Sequence, residues 1–298
     1  MKEITVLSGK GGTGKTSLTA AFASMMKGLV LVDCDVDAAN LHLLLNPSRQ
    51  ESHTFVGGLK AHVEQALCNG CGLCGTACRF DAIQMNGVAA VRPMRCEGCG
   101  VCAAVCPVDA VTLAPHACGT WFVSNTQLGT MVHARLHPGE ENSGRLVSIL
   151  RDSARGLAQA LTASWILADG PPGIGCPVIS SLSGADYALL VTEPTLSGFA
   201  DLKRVATVAG HFRIPAGIIV NKADINPAVA AQIEEYAAET GRDVLGRVDY
   251  DSAFNRAQLA GVSVLANAGP ALRRSLENAW LAIEQSIERE RSSFTVFR

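Results

Sequence analysis

Eight of the chain's eleven cysteines fall between Cys68 and Cys106, and they form one pattern written twice. Cys68, Cys71, Cys74 and Cys78 recur 28 residues later as Cys96, Cys99, Cys102 and Cys106. Gly70, Gly72, Asp81 and Ala82 recur at the same offset as Gly98, Gly100, Asp109 and Ala110. Thiols clustered this way in a reducing compartment point to metal ligation rather than disulfides, and an odd total argues against a complete disulfide framework. Residues 59–116 are therefore expected to fold as a small two-fold-repeated unit inserted into a larger one.

The larger unit is expected over 1–58 and 117–298. At 298 residues the chain has room for one large or two smaller domains, at about 150 residues each. Hydrophobic residues make up 48% and charged residues 17%, enough for a substantial core and unlike a disordered chain. The formal net charge of -2 argues against a broad basic surface for nucleic acid. No apolar run reaches the roughly 18 residues of a membrane span, and MKEITVLSGKGG carries no secretory pattern. The expectation is a cytoplasmic chain that binds neither nucleic acid nor membrane.

Short apolar runs at Ile4 to Leu7, Leu29 to Val32, Trp165 to Ala168, Tyr187 to Val191 and Gly217 to Val220 read as buried strands. Helical patterns separate them, from about Lys15 to Met26, Leu146 to Leu161, Gly198 to His211 and Pro227 to Thr240. That alternation implies an α/β fold with a doubly wound, mostly parallel sheet, and right-handed crossovers.

Between the first strand and the first helix lies Gly9-Lys10-Gly11-Gly12-Thr13-Gly14-Lys15-Thr16, which fits G-x-x-x-x-G-K-[ST]. Backbone N–H groups of Gly11, Gly12, Thr13 and Gly14 would converge on phosphates, with Ser17 in the first helical turn beyond. Lys15 would meet the β- and γ-phosphates and Thr16 would ligate Mg²⁺, so ATP/ADP and Mg²⁺ are the expected cofactors.

With Lys10 the loop reads KGGTGKT and resembles the deviant Walker A ATPases, the MinD/ParA/Mrp and nitrogenase iron-protein group. The resemblance implies that Lys10 reaches across an ATP-bound homodimer to the partner's phosphates. Asp33-Cys34-Asp35-Val36-Asp37 resembles the group's switch I, which gives Asp35 the water-orienting role with Asp37 as its competitor. Asp169-Gly170-Pro171-Pro172-Gly173 resembles its D-x-P-P-G segment, with Asp169 holding Mg²⁺ through water. Asn221-Lys222-Ala223-Asp224 resembles the base-contacting N-K-x-D, and an ordinary Asn/Asp turn remains the competing reading. The segments 121–124, 139–144 and 191–195 also resemble the group. Residues 139–144 read either as a partner-facing loop or as an acidic cap before the next helix.

Both cysteine runs read C-x2-C-x2-C-x3-C, the bacterial ferredoxin arrangement, in which each run's fourth cysteine serves the other cluster. That arrangement implies one 4Fe–4S cluster on Cys68, Cys71, Cys74 and Cys106 and a second on Cys96, Cys99, Cys102 and Cys78. Zinc is the alternative, although its C-x2-C pairs are usually separated by a longer loop.

Cys34, Cys118 and Cys176 remain. Cys176 lies at the offset from Asp169 of a cluster-ligating cysteine in the nitrogenase iron protein, but all three read more simply as small buried thiols. His42, His53, His133 and His137 show no ligand pattern. Leu276, Trp280, Ile283 and Ile287 form an apolar stripe on an acidic C-terminal helix, expected to pack on the domain rather than lie on a membrane.

Together these features imply an ATPase whose dimer switch gates electron transfer from two 4Fe–4S clusters to a redox partner. Two alternatives stand beside it: assembly or delivery of metal clusters to a partner protein, and MinD/ParA-type positioning with structural clusters.

Overall fold

The computed structural model of the chain describes residues 1–140 and 144–295. Its elements begin with β1 (Lys2–Ser8), α1 (Lys15–Ala23), β2 (Leu29–Asp33), α2 (Leu41–Leu45) and β3 (Ser48–Val63). Next come α3 (Leu73–Ala77), β4 (Ile83–Asn86), β5 (Val88–Val91), α4 (Val101–Ala104), β6 (Val111–Asn125) and β7 (Thr130–Leu136). The chain continues through α5 (Arg145–Ala160), β8 (Trp165–Pro172), α6 (Cys176–Leu182), β9 (Tyr187–Thr192) and α7 (Leu196–His211). It ends with β10 (Ala216–Asn221), α8 (Pro227–Glu239), β11 (Val244–Val248), α9 (Ala253–Ala260) and α10 (Pro270–Thr295).

These fall into two compact units, one of Met1–Ser52, Trp121–Arg135 and Ser143–Arg298, the other of His53–Thr120 and Leu136–Asn142. The second is wider than 59–116 because β3 and β6 are long strands whose far ends belong to it.

In the first unit the strand order is β11-β10-β9-β1-β8-β2-β7, followed by β6 and β3. The pairings β1–β8, β1–β9, β9–β10, β10–β11, β2–β8 and β2–β7 are all parallel. Strand β1 therefore lies between β8 and β9, and parallel pairing brings the carboxyl ends of β1, β2 and β8 to one edge, where α/β sheets bind ligands. Register makes this specific, since Asp33 pairs with Asp169 and Val6 with the same Asp169.

Both faces of the sheet are covered, which is why its strands are apolar throughout. On one face Leu18, Phe22, Leu31 and Leu167 pack with Leu276, Trp280, Ile283 and Ile287 of α10. On the other, Leu190, Ile218 and Val220 pack with Leu202 and Val205 of α7 and Ile233 of α8. The Thr195 hydroxyl caps α7 by accepting the Gly198 N–H at 3.0 Å, and Asn226 caps α8 from Val229 at 3.2 Å.

The second unit carries the repeat into three dimensions. Gly72 and Gly100 open α3 and α4 at φ 79° and 81°, while Asp81 and Asp109 share a φ of 51°. The hairpin β4–β5 is antiparallel, with Ile83 opposite Val91. Its core includes Ala61, Val63, Ile83, Ala89 and Val111 with the sulfurs of Cys74 and Cys102.

One buried base sets an acid limit on the first unit. His133 on β7 stacks on His42 with ring centroids 6.1 Å apart, and its Nε2 pairs with the Ser124 hydroxyl at 2.9 Å. Burial, reinforced by His42 and Arg49, drives its pKa down to about 4. The unfolded chain therefore binds this proton more readily, so stability is complete above about pH 6.5 and falls as the pH drops towards 4. The full loss is about 3 kcal/mol. Urea midpoints measured at pH 7 and pH 4.5 should show a clear drop in the wild type, and His133→Phe should flatten it.

Candidate functional site

The loop between β1 and α1 wraps the edge of the sheet. Gly14 sits at φ 86°, and a Cβ there would lie 2.3 Å from the Asn221 side-chain nitrogen, so both backbone conformation and space demand glycine. Gly11 and Gly12 are exposed, Thr13 and Lys15 are buried, and Thr16 and Ser17 are half-buried at the start of α1.

Asp169 gathers the site. Its carboxylate, fully buried at the end of β8, accepts Lys15 Nζ at 2.7 Å, the Thr16 hydroxyl at 2.7 Å and the Thr19 hydroxyl at 3.1 Å. Asp35 lies 3.8 Å from Lys15 Nζ. Burial alone would lower the Lys15 pKa, but Asp169 and Asp35 outweigh it and the ammonium is held above its usual range. Burial raises Asp35, with Lys15 opposing and Asp169 adding to the shift.

Asp33 was not among the expected site residues. It is completely buried, and its carboxylate accepts the N–H groups of Asp35 and Leu41, both at 3.2 Å. Burial and the nearby Asp169 raise its pKa well above the ordinary carboxylate range. The run of aspartates Asp33, Asp35 and Asp37 at the end of β2 was the available signal. Thr19 was missed as well, while Lys222 and Glu193 lay inside the N-K-x-D and 191–195 segments without a role of their own.

Lys10 takes a different setting. Its Nζ contacts Glu193 Oε1 at 2.7 Å, the Ser197 hydroxyl at 3.0 Å and the Thr195 hydroxyl at 3.1 Å. Lys222 Nζ contacts the other Glu193 oxygen at 2.8 Å and donates to the Gly12 carbonyl at 2.9 Å. Burial raises the Glu193 pKa, but hydrogen bonds from the two lysines outweigh it and hold the carboxyl below its usual range.

Asn221 donates to the Thr13 carbonyl at 2.7 Å. Its Oδ1 and the Thr13 hydroxyl are buried without a hydrogen-bond partner among the described residues, the condition expected of atoms that a ligand satisfies. Asp224 instead accepts the Tyr250 N–H at 2.6 Å and so braces a turn. Of the stretch 139–144, Glu140 pairs with Lys60 and His116, whereas Glu141, Asn142 and Ser143 lie outside the described residues.

In the second unit the cysteines surround two cavities. One is lined by Cys68, Cys71, Cys74 and Cys106. The other is lined by Cys78, Cys96, Cys99 and Cys102. Each set takes three sulfurs from one run and the fourth from the other. Backbone N–H groups reach four of them: Ala89 to Cys68 at 3.5 Å, Ala61 to Cys96 at 3.4 Å, Ala82 to Cys78 at 3.4 Å and Ala110 to Cys106 at 3.3 Å. These donors are themselves repeat mates, Ala61 with Ala89 and Ala82 with Ala110. All eleven thiols are free. A single tetrahedral zinc at about 2.3 Å from each sulfur needs sulfurs roughly 3.8 Å apart. Among the described residues no three cysteine sulfurs lie within 4.8 Å of one another.

A strand-loop-helix phosphate cradle on a parallel sheet, with a buried lysine on a strand-end aspartate, defines a P-loop nucleotide-binding protein. The family described as the CobQ/CobB/MinD/ParA nucleotide binding domain matches residues 4–264, and the chain belongs to it. An uncharacterized protein of Methanocaldococcus jannaschii is 33% identical over 228 residues, 75% of this chain and 79% of its own length. The septum site-determining protein MinD of Pyrococcus horikoshii, solved with Mg-ADP, aligns with a TM-score of 0.56 at 21% identity, covering 95% of each chain. MinD from the MinC:MinD cell division complex of Aquifex aeolicus gives 0.57 at 17% identity, covering 96% of each. As a member of that family the protein is a P-loop ATPase.

This corrects the expectation of ATP-gated electron transfer as the main function. The MinD/ParA family match runs over residues 4–264, and the septum site-determining MinD homolog of Arabidopsis thaliana is 25% identical over 292 residues, 95% of this chain and 74% of its own length. Cys176, which carried part of the likeness to the nitrogenase iron protein, is an exposed thiol opening α6 and joins no group of three ligand atoms among the described residues.

The contrast between the two loop lysines is measurable. Glu193→Ala should raise acylation of Lys10 and Lys222 by up to about fivefold, the equivalent of at most about 1 kcal/mol. Lys15, closed under Asp169, should keep its rate in the same mass-spectrometric assay.

Proposed function

We propose that the chain is a MinD/ParA-type positioning ATPase, a nucleotide-dependent switch that pairs two copies, holds a partner protein while paired, and carries two structural 4Fe–4S clusters in its second unit. The observation that carries this reading is the unequal placement of two lysines in one phosphate loop. Lys15 is buried on Asp169, and Lys10 stands at the loop's edge with its side chain 27% exposed. A lysine placed there suits a role in trans, at the phosphates of a second copy.

The residues then divide the work. Backbone N–H groups from Gly11 to Thr16 cradle the phosphates, and Lys15 neutralises their charge. Thr16 and Asp169 hold Mg²⁺, which when bound neutralises charge on the phosphate oxygens. Asp35, with Asp37 as its competitor, orients the attacking water. Asn221 turns its free Oδ1 to the base, and Asp224 shapes the turn behind it. The Mg-ADP complex of the Pyrococcus protein and the MinC complex of the Aquifex protein support this reading. The expectation of a redox or cluster-receiving partner loses its basis with the electron-transfer reading.

The sulfur sets and their backbone donors suit two 4Fe–4S clusters in a ferredoxin-like unit. Thiolate-bound iron there cross-links segments whose own helices are only four and five residues long. We place the protein in the cytoplasm, where such thiols stay reduced.

Sedimentation with ADP and with ATP tests the switch. The wild type should dimerise with ATP alone, Lys15→Ala should lose nucleotide binding, and Lys10→Ala should bind ATP while hydrolysing it at least roughly a hundredfold more slowly. A wild type whose association ignores nucleotide, or a Lys10→Ala variant at full rate, overturns the proposal. Anaerobic protein should also contain about eight iron and eight sulfide per chain. Its ATPase rate should be equal with the clusters oxidised and reduced. Two zinc ions in their place would sink the cluster assignment, and a redox-dependent rate would sink the structural role.

A further inference from the structure

Three chemically different ligand atoms converge in the second unit, apart from the eight repeated cysteines. His116 and Cys118 are two residues apart on β6, so both leave the same face of the strand. Beyond β7 the chain turns back through Pro138 and Gly139 and delivers Glu140 to that face. The turn is fastened to the strand: the His137 N–H donates to the Cys118 carbonyl at 2.8 Å, and the Glu140 N–H donates to the His137 carbonyl at 3.1 Å. His137 Nδ1 adds a contact to the Ala117 carbonyl at 3.1 Å. The result places His116 Nε2 2.9 Å from Glu140 Oε1, with Cys118 Sγ, the imidazole nitrogen and a carboxylate oxygen all within 4.8 Å of one another.

We propose that His116, Cys118 and Glu140 form a third metal site of the second unit, for a zinc-class divalent ion, with the fourth position open to water. Bond lengths of about 2.0–2.3 Å require ligand atoms roughly 3.3–3.6 Å apart, so side-chain rotations within the existing cluster produce the geometry. The donor set is chemically selective. One thiolate, one imidazole and one carboxylate suit zinc or cobalt, whereas calcium and magnesium ask for oxygen alone. Cys118 is buried at 6% exposure, and a Cβ on Gly57 would stand 2.9 Å from its sulfur, so glycine there leaves room for the sulfur. Lys60 Nζ holds Glu140 Oε1 at 2.8 Å and the Pro93 carbonyl at 2.8 Å. It orients the carboxylate from outside and sets the charge with which an incoming ion competes.

The site is independent of the proposed switch and of the clusters, because it uses none of their residues. Zinc should be titrated into the anaerobically prepared full chain after its iron content has been recorded. The expected result is one zinc per chain with the iron count unchanged, and zinc-edge X-ray absorption showing a single sulfur at about 2.3 Å among nitrogen and oxygen ligands. Cys118→Ser, His116→Ala and Glu140→Gln should each weaken binding by about 10–100-fold while leaving iron content as in the wild type. Equal zinc affinity in wild type and Cys118→Ser, or a first shell of several sulfurs, would place the ion elsewhere and overturn the site. So would a first shell of nitrogen and oxygen alone, or no zinc uptake at all.

Discussion

A fully buried carboxylate is tolerated only when it is paired, and Asp169 is paired three times over. The nucleotide site depends on this. The parallel register of β2 on β8 sets Asp33 opposite Asp169, so a second carboxylate sits in the same dry space and shifts towards its protonated form. Lys15 is the cation that makes the arrangement stable. It can serve a phosphate fully only if Asp169 keeps another positive charge nearby. Nucleotide binding and divalent-ion binding are thereby coupled through one side chain, and Thr16, which shares Asp169 with Lys15, lies at the point of exchange.

The second unit is held by other means. A segment of this size buries too little apolar surface to be stable without staples. Its helices span four or five residues, and its core counts the sulfurs of Cys74 and Cys102 among its members. The same thiols that line the cavities therefore also fill the core. Backbone N–H groups aimed at sulfur repeat with the cysteines, so the electrostatics of the two sets were duplicated along with the ligands.

Much of this was legible in the residues. The runs that became β1, β2, β8, β9 and β10 are apolar end to end because both faces of the sheet are covered, and the loop motif needs only a strand before it and a helix after it. Strands β3 and β6 escaped notice because most of β3 is exposed and neither reads as a continuous apolar run. Asp33 escaped for a different reason, since its role comes from register with a strand more than a hundred residues away. Glu193 lay in a stretch that resembled the family, but its role comes from Lys10 and Lys222, which are far from it in sequence. The error about electron transfer came from elsewhere: cysteine spacing reports what a unit can bind, whereas what the binding is for was carried over from an analogous fold, a weaker warrant.

The two lysines of the loop differ in a way that fits the proposed division, one to its own nucleotide and the other to a partner's. Withdrawing Lys15 would leave Asp169 charged in a space that solvent does not enter, a cost of several kcal/mol unless another cation arrives. Withdrawing Lys10 leaves Glu193 still bound to Lys222, at a rim where exposed ion pairs contribute about 0–1 kcal/mol. The loop thus fixes one cation where loss is expensive and lends the other where loss is cheap. Glu193 joins the arrangements before and after, because it holds a second lysine whose other contact is the loop's own Gly12 carbonyl. Release of Lys10 therefore leaves the loop anchored, as a switch that must rebuild its site each cycle requires.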